Sequence, residues 1–229
     1  MHTSDLHMGH DKYRPDIMDD FAKRVKIFKP DYITISGDLL EGMSGRDGHI
    51  YELTHLGATN QLNYGIEELS KINDKVPIYF ITASKSHDGW FSSKGNTGFE
   101  VGPELERRMK NMHFLGYDEA DLVIDDKLKI RLTHPGDGTA YAISYKIQKY
   151  VNALSGGQKP NVILQGHYHK AMYMFYRNIH CFDTASMQEQ TIFMKKKQTP
   201  SMIGYWMTDI KYNKRGIDNL NKTFVPFYE

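Results

Sequence analysis

"DYITISGDLL", residues 31–40, decides the fold. Ile33, Thr34 and Ile35 form a β-branched run that favours extended, pleated backbone. It stops at Gly37, and Asp38 stands directly beyond. In an open α/β sheet the carboxyl ends of the strands face one crevice, so a carboxylate placed there is delivered to a shared site if other strands end the same way.

The flanking segments supply those strands. Pro15 opens a helix in which Ile17, Phe21, Val25 and Phe28 recur at spacings of four, four and three. Residues 41–58, rich in Gly, His and Asp, read as a surface loop. A second helix carries Leu62, Ile66, Leu69 and Ile72 and leads into the strand "VPIYFIT" (76–82), which completes a β-α-β order. "PELERRMKN" (103–111) supports a short helix starting at Pro103, and "DLVIDDKLKIRLTH" (121–134) reads as a hairpin turning near Asp125 and Asp126.

The apolar face of Ala140, Ile143, Ile147, Val151 and Leu154 predicts a third long helix over 139–154. "NVILQ" (161–165) is a buried strand, "AMYMFY" (171–176) and "IHCFD" (179–183) form a hairpin around Arg177 and Asn178, and "MIGYWMTD" (202–209) is a late strand. Early βα units followed by a strand-rich half predict two mixed sheets with helices outside, an α/β fold. The whole is taken as one domain over 1–210 with a polar tail, 211–229, that docks or frays.

Composition narrows the function by exclusion. A net charge of +1 gives no global attraction to nucleic acid, so any polyanion is held locally. Cys181 stands alone, which rules out an intrachain disulfide and makes a reducing cytoplasm the simplest compartment. No apolar run has bilayer length and no signal peptide precedes the first polar motif, so no membrane is expected. Composition names no partner and leaves the oligomeric state open. Only Met1, His2 and Thr3 precede Ser4, which leaves the first strand stunted and questions Met1 as the native beginning.

Five chemical clusters sit where predicted strands stop: Asp5 with His7, Asp38, His87 with Asp88, His134, and His167 with His169. Carboxylates and imidazoles converging on one crevice suit Mn, Fe, Zn or Mg. Any one of them alone is better explained as a hydrogen-bonded surface residue; the ordered set is not.

"SDLHMG", "SGDLLEG", "SHD", "THP" and "GHYH" resemble, in order, the five motif blocks of the calcineurin-like metallophosphoesterases. The resemblance spans Asp5 to His169. It implies a four-layer α-β-β-α sandwich and a centre of two divalent metal ions, most simply Mn. In that arrangement Asp5, His7 and His169 hold the first ion, Asp38 bridges both, and His134 and His167 hold the second. A hydroxide bridging the ions would attack a phosphodiester while His87, held by Asp88, assists the leaving group. The chain departs from the pattern at Lys85 and Ser86, where the family has Gly-Asn. Ser86 is then a short replacement for an amide ligand, which predicts a weaker second site, and Lys85 either contacts substrate phosphate or is an exposed loop lysine.

Within the family the pattern looks most like the nuclease and DNA-repair branch of phage or bacterial type, which makes DNA the favoured substrate ahead of a cyclic nucleotide or another small diester. Tyr141, Tyr145, Lys146, Lys149 and Tyr150 interleave aromatic and basic groups, and Lys195–Lys197 form a basic run. Both also read as solvated faces. A non-catalytic scaffold that has lost ligands, with Ser86 as its sign, is the alternative from another class.

Overall fold

The computed structural model describes residues 1–91 and 99–228. Its first sheet contains β1 (His2–Thr3), β2 (Ile33–Ser36), β3 (Ile78–Thr82), β4 (Met112–Tyr117), β10 (Ile203–Asn213) and β11 (Gly216–Phe227), in the order β11-β10-β1-β2-β3-β4. The second contains β5 (Glu119–Val123), β6 (Lys129–Thr133), β7 (Val162–Gln165), β8 (Ala171–Tyr176) and β9 (Ile179–Thr184), in the order β5-β6-β7-β9-β8. β1 to β4 run parallel, as do β6, β7 and β9, and antiparallel neighbours make both sheets mixed.

Side-chain alternation sorts each strand between two layers, because successive residues face opposite sides of a sheet. Ile33 and Ile35 of β2, with Ile78 and Phe80 of β3, face α1 (Pro15–Phe28), α2 (Ala58–Leu69) and α3 (Val101–Arg108), where Ile17, Phe21, Leu62 and Leu105 cover them. Ile81 of β3 turns the other way and meets Leu132, Leu164, Phe182 and Trp206 between the sheets. The hydroxyl of Ser36 crosses that interface and donates to the Leu164 carbonyl at 3.0 Å. Ile163 and Cys181 face outward, under Ile147 and Val151 of α4 (Tyr145–Ala153). The layers are therefore helix, sheet, sheet and helix, the fold class expected. Among the described residues no helix is long and apolar enough to cross a membrane.

Several local expectations are corrected. The helix predicted over 139–154 begins only at Tyr145 and ends at Ala153; ahead of it the Ala140 carbonyl accepts from Lys170 Nζ at 2.9 Å. Phe28 ends α1 partly exposed rather than in the core, and Ile72 lies just past α2, though buried. α3 starts two residues before Pro103. β4, which carries only one fully buried residue, Met112, gives little alternation to read and was not foreseen. The segment 41–58 is not wholly surface: Glu41 and His49 are each 1 % exposed.

Residues 211–213 complete β10, and β11 pairs with β10 along its length, so the stretch set apart as a tail is the edge of the first sheet. The two foreseen hairpins form. β5 turns into β6, and β8 into β9 through Arg177 and Asn178, both at positive φ (48° and 64°), which a two-residue hairpin turn of matching twist requires.

Candidate metal centre

The parallel strands end on one edge, and the expected residues lie just past those ends. Asp5 and His7 follow β1, Asp38 follows β2, Ser86 and His87 follow β3, His134 follows β6, and His167 and His169 follow β7. The first two turns are laced together by backbone bonds from Asp5 N to the Gly37 carbonyl (3.1 Å) and from His7 N to the Asp38 carbonyl (3.0 Å).

This backbone is costly. Asp5, His7, Asp38, His167 and His169 have φ of 50°, 53°, 52°, 82° and 50°, the left-handed region that a side chain disfavours. Such outliers gather where a fold over-determines its backbone for a site. Two glycines make room for them. Gly37 (φ 91°) lies against the His134 ring, and a Cβ on Gly166 would stand 2.5 Å from the Ser36 carbonyl and 2.6 Å from Ser4 Oγ.

Among the described residues, three sets of side chains bring ligand atoms within 4.8 Å of one another: Asp5, His7 and His169; Asp38, His134 and His167; and His7, Asp38 and His87. Asp5, His7, Asp38, His134 and His169 are buried, while His87 and His167 are half-buried at the mouth. Asp38 is central. Its Oδ2 lies 3.1 Å from His134 Nε2, 3.9 Å from His87 Nε2 and 4.0 Å from His7 Nε2.

The donor set fits divalent ions. With His7 Nδ1 turned to Glu41, its Nε2 faces His169 Nε2 at 3.0 Å, and Asp5 Oδ1 lies 3.9 Å and 3.5 Å from the two nitrogens, a grouping of donor atoms that a cation could share. His134 Nε2 is buried without a hydrogen bond of good geometry. Carboxylate with imidazole is a mixed hard and borderline set. Burial opposes ionisation of Asp38, but His134 and His87 outweigh it and hold the carboxyl well below its usual range. Burial likewise disfavours the protonated His134 and His87, but Asp38 beside the first, and Glu41 with Asp38 beside the second, push both up to about 10. The pocket thus concentrates negative charge, which favours a cation there.

Glu41 escaped the sequence reading. Its carboxylate sits 2.9 Å from His7 Nδ1, 2.7 Å from His49 Nε2 and 3.2 Å from His87 Nδ1, and accepts from Gln188 Nε2 at 3.4 Å. It turns His7 so that Nε2 faces the centre, as a carboxylate behind a metal-binding histidine does. The signal was present in "SGDLLEG", three residues past Asp38, but assigning 41–58 to the surface hid it.

Asp88 needs correction. It was expected to hold the His87 imidazole. Its carboxylate instead accepts from Ala83 N at 3.0 Å and Leu39 N at 3.1 Å, tying the end of β3 to the turn after β2. Its role is to shape backbone, and burial pushes its carboxyl up to about 8. His87 Nδ1 is met by Glu41, through the carboxylate and through its carbonyl at 3.0 Å.

Ser86 Oγ donates to Asp38 Oδ1 at 2.7 Å, beside the second ligand set. In the helical segment, Lys146 is paired with Asp137 at 2.6 Å and Tyr150 OH donates to Glu119 at 2.5 Å, while Tyr141, Tyr145 and Lys149 are exposed. Two members of the expected aromatic and basic set are thus already engaged. Lys195 and Lys196 close a short helix, α5 (Ile192–Lys196), and Lys197 Nζ lies 5.9 Å from the Phe193 ring.

The same architecture is found in an archaeal phosphodiesterase, at 12 % identity over 98 % of both chains with a TM-score of 0.53. The chain has the metallophosphoesterase fold. Vps29 of Entamoeba histolytica, solved with zinc, shares it at 11 % identity over 99 % of this chain and 98 % of that one, with a TM-score of 0.50. No family model matches the sequence, and no curated protein does. At such identities the likeness carries the fold and not the chemistry, which rests on the ligand geometry above.

Proposed function

We propose that this metallophosphoesterase-fold chain is a metal-dependent phosphodiesterase using two divalent ions, manganese being favoured, with a DNA strand as the preferred diester. The observation that carries the reading is the convergence of Asp5, His7 and His169 with Asp38, His134 and His167 on one edge, Asp38 lying between the sets. Paired divalent ions supply Lewis-acid stabilisation to a phosphoryl group and make water acidic enough to attack it near neutral pH.

The chain's own groups supply the rest. His87 is the half-buried imidazole at the mouth, and Glu41 holds its Nδ1 so that Nε2 faces the centre, 3.9 Å from Asp38. From Nε2 it can hand a proton to the departing ester oxygen. Glu41 fixes the orientation of His7 and His87 together. Lys85, in the wall of a cavity beside Ser86 and His134, and the basic run Lys195–Lys197 are the cations proposed to hold a polyanion on a near-neutral chain.

A second reading has one observation in its favour. Ser86 spends its hydroxyl on Asp38 where the family pattern has an amide ligand, which suits a binding module that no longer turns over. One experiment separates them: hydrolysis of a chromogenic phosphodiester and of labelled single- and double-stranded DNA with Mn²⁺, comparing the native chain with H87A and D38A. The phosphodiesterase reading expects H87A to fall by roughly 10²–10⁴-fold. Native turnover no higher than that of the variants rejects it.

A further inference from the structure

Trp90 closes a loop of contacts around the candidate proton donor. Its indole centroid lies 4.6 Å from that of the His87 imidazole, tilted by 45°, and 6.0 Å from that of His49, at 79°. The Glu41 carboxylate touches the same two imidazoles, at 3.2 Å from His87 Nδ1 and 2.7 Å from His49 Nε2. Each imidazole therefore meets both the carboxylate and the indole. Aromatic rings at these separations and tilts attract as well as exclude one another.

The constraints on His87 come from different neighbours. Gly42, at φ 76°, lets the backbone after Glu41 press against that of His87, since an added Cβ there would collide with the His87 carbonyl. Glu41 fixes Nδ1, through the carboxylate and through its own carbonyl at 3.0 Å. A ring held at one nitrogen can still swing about that contact, which carries the opposite nitrogen sideways. Its ring neighbours decide whether it does. His7 meets it nearly at right angles, with centroids 4.2 Å apart, and Trp90 packs on it from within the same short turn, His87–Phe91. Trp90 is itself pinned, because its indole N–H donates to the Lys85 carbonyl at 3.1 Å.

We infer that Trp90 is a positioning residue for the leaving-group step: its indole holds the plane of the His87 imidazole so that Nε2 stays directed at the departing ester oxygen. The inference rests on the phosphodiesterase reading for the step it serves. It goes beyond that reading by assigning part of the alignment to a residue that is neither a ligand candidate nor a proton carrier. Misplacing a reacting group by about 1 Å costs on the order of 10²-fold, so a modest swing of the ring is enough to matter.

The test varies the ester's need for a proton. At saturating Mn²⁺, kcat is compared for a thymidine dinucleotide, whose leaving alkoxide must be protonated, and for the p-nitrophenyl ester of thymidine 5′-phosphate, whose leaving phenolate need not be. W90L removes the indole and keeps apolar bulk, while W90F keeps an aromatic face without the N–H. W90L should lose about 10–100-fold in kcat on the dinucleotide and about threefold or less on the aryl ester. W90F should keep most of the dinucleotide rate. Equal losses on the two esters, or a W90F chain no better than W90L, overturn the assignment. A second measurement reads the ring without turnover. In imidazole nitrogen–proton correlation spectra of the metal-free chain, the His87 signals are identified by their absence in H87A. They should form a single set in the native chain and W90F, and a doubled or exchange-broadened set in W90L. His87 signals unchanged in W90L overturn the assignment whatever the kinetics. A ring freed in W90L with no native turnover upholds the positioning contact and rejects the hydrolase instead.

Discussion

Glu41 reaches His7 Nδ1 at 2.9 Å from a position 1 % exposed, and the same carboxylate contacts His49 and His87. One buried anion therefore orients a candidate ligand and the candidate proton donor at once. E41Q keeps the volume and removes the charge. It should weaken Mn²⁺ binding about 10–100-fold, as loss of a carboxylate behind a metal-binding histidine does. E41A should in addition cost about 3–5 kcal/mol of stability by leaving buried imidazoles unpaired. Metal titration and denaturant unfolding read the two effects separately, and unchanged metal affinity in E41Q would count against this role.

Ser86 sets the strength of the second set. Its hydroxyl is engaged with Asp38 Oδ1 at 2.7 Å. An amide oxygen at this position reaches further, so S86N should tighten the weaker of two Mn²⁺ binding steps by about tenfold. Calorimetry resolves the steps; a variant whose weaker step is unmoved contradicts the prediction.

Gly166 has no space for a side chain. G166A drives a methyl toward the Ser36 carbonyl and Ser4 Oγ, with His134 Nδ1 at 2.9 Å. Overpacking of this kind costs about 1–3 kcal/mol. For a chain of this size each kcal/mol lowers the thermal midpoint by about 2–4 °C. The smallest shift expected is therefore about 2 °C, and a midpoint within about 1 °C of the native chain fails the prediction.

Asp183, which feels the charge of Asp5 without belonging to the ligand sets, gives stability a pH dependence. Burial pushes its carboxyl up to about 7, Lys170 only partly opposing, and its Oδ1 lacks a hydrogen bond. Gln165 Oε1, on its register partner in β7, also lacks one. Because the folded value lies above the unfolded 3.8, the folded chain holds a proton that the unfolded chain releases. Stability on this account is greatest below about pH 4, declines as pH rises to about 7 and is level above, with a full span of about 4 kcal/mol. D183N carries no such charge and offers an N–H to Gln165, so it should exceed the native chain in urea midpoint at pH 8 and match it near pH 4. Equal midpoints at pH 8 would refute the assignment.

The site was more legible than the details of its support. The β-branched run ending at Gly37 and Asp38, with its counterpart in β7 ahead of His167, carried the two-sheet fold and the ligand candidates because burial on both faces leaves a plain apolar signal. What it did not carry were contacts between turns. Asp88 looked like the partner of its neighbour His87, yet consecutive residues in that turn point apart and two backbone N–H groups claim the carboxylate. Glu41 was overlooked because a composition rich in Gly, His and Asp describes a surface loop equally well until tertiary packing buries it. Ahead of α4 the Ala140 carbonyl is met by Lys170, thirty positions away, a contact that no local pattern announces.

β11 is joined to β10 over the whole of Ile203–Asn213, whereas β10 meets β1 at the single register pair His2↔Trp206. The outer hairpin is thus a ladder fastened to the sheet by a narrow seam, helped by the buried rings of Tyr205 and Trp206. Its far end, from Asp209 to Lys222, has mostly exposed or half-exposed side chains. Cooperativity should divide at that seam. In native-state hydrogen exchange the amides of the distal hairpin would open as a unit of their own, well below the free energy that unfolds the parallel strands. The edge carrying the metal ligands would keep its shape while the far end of the molecule breathes.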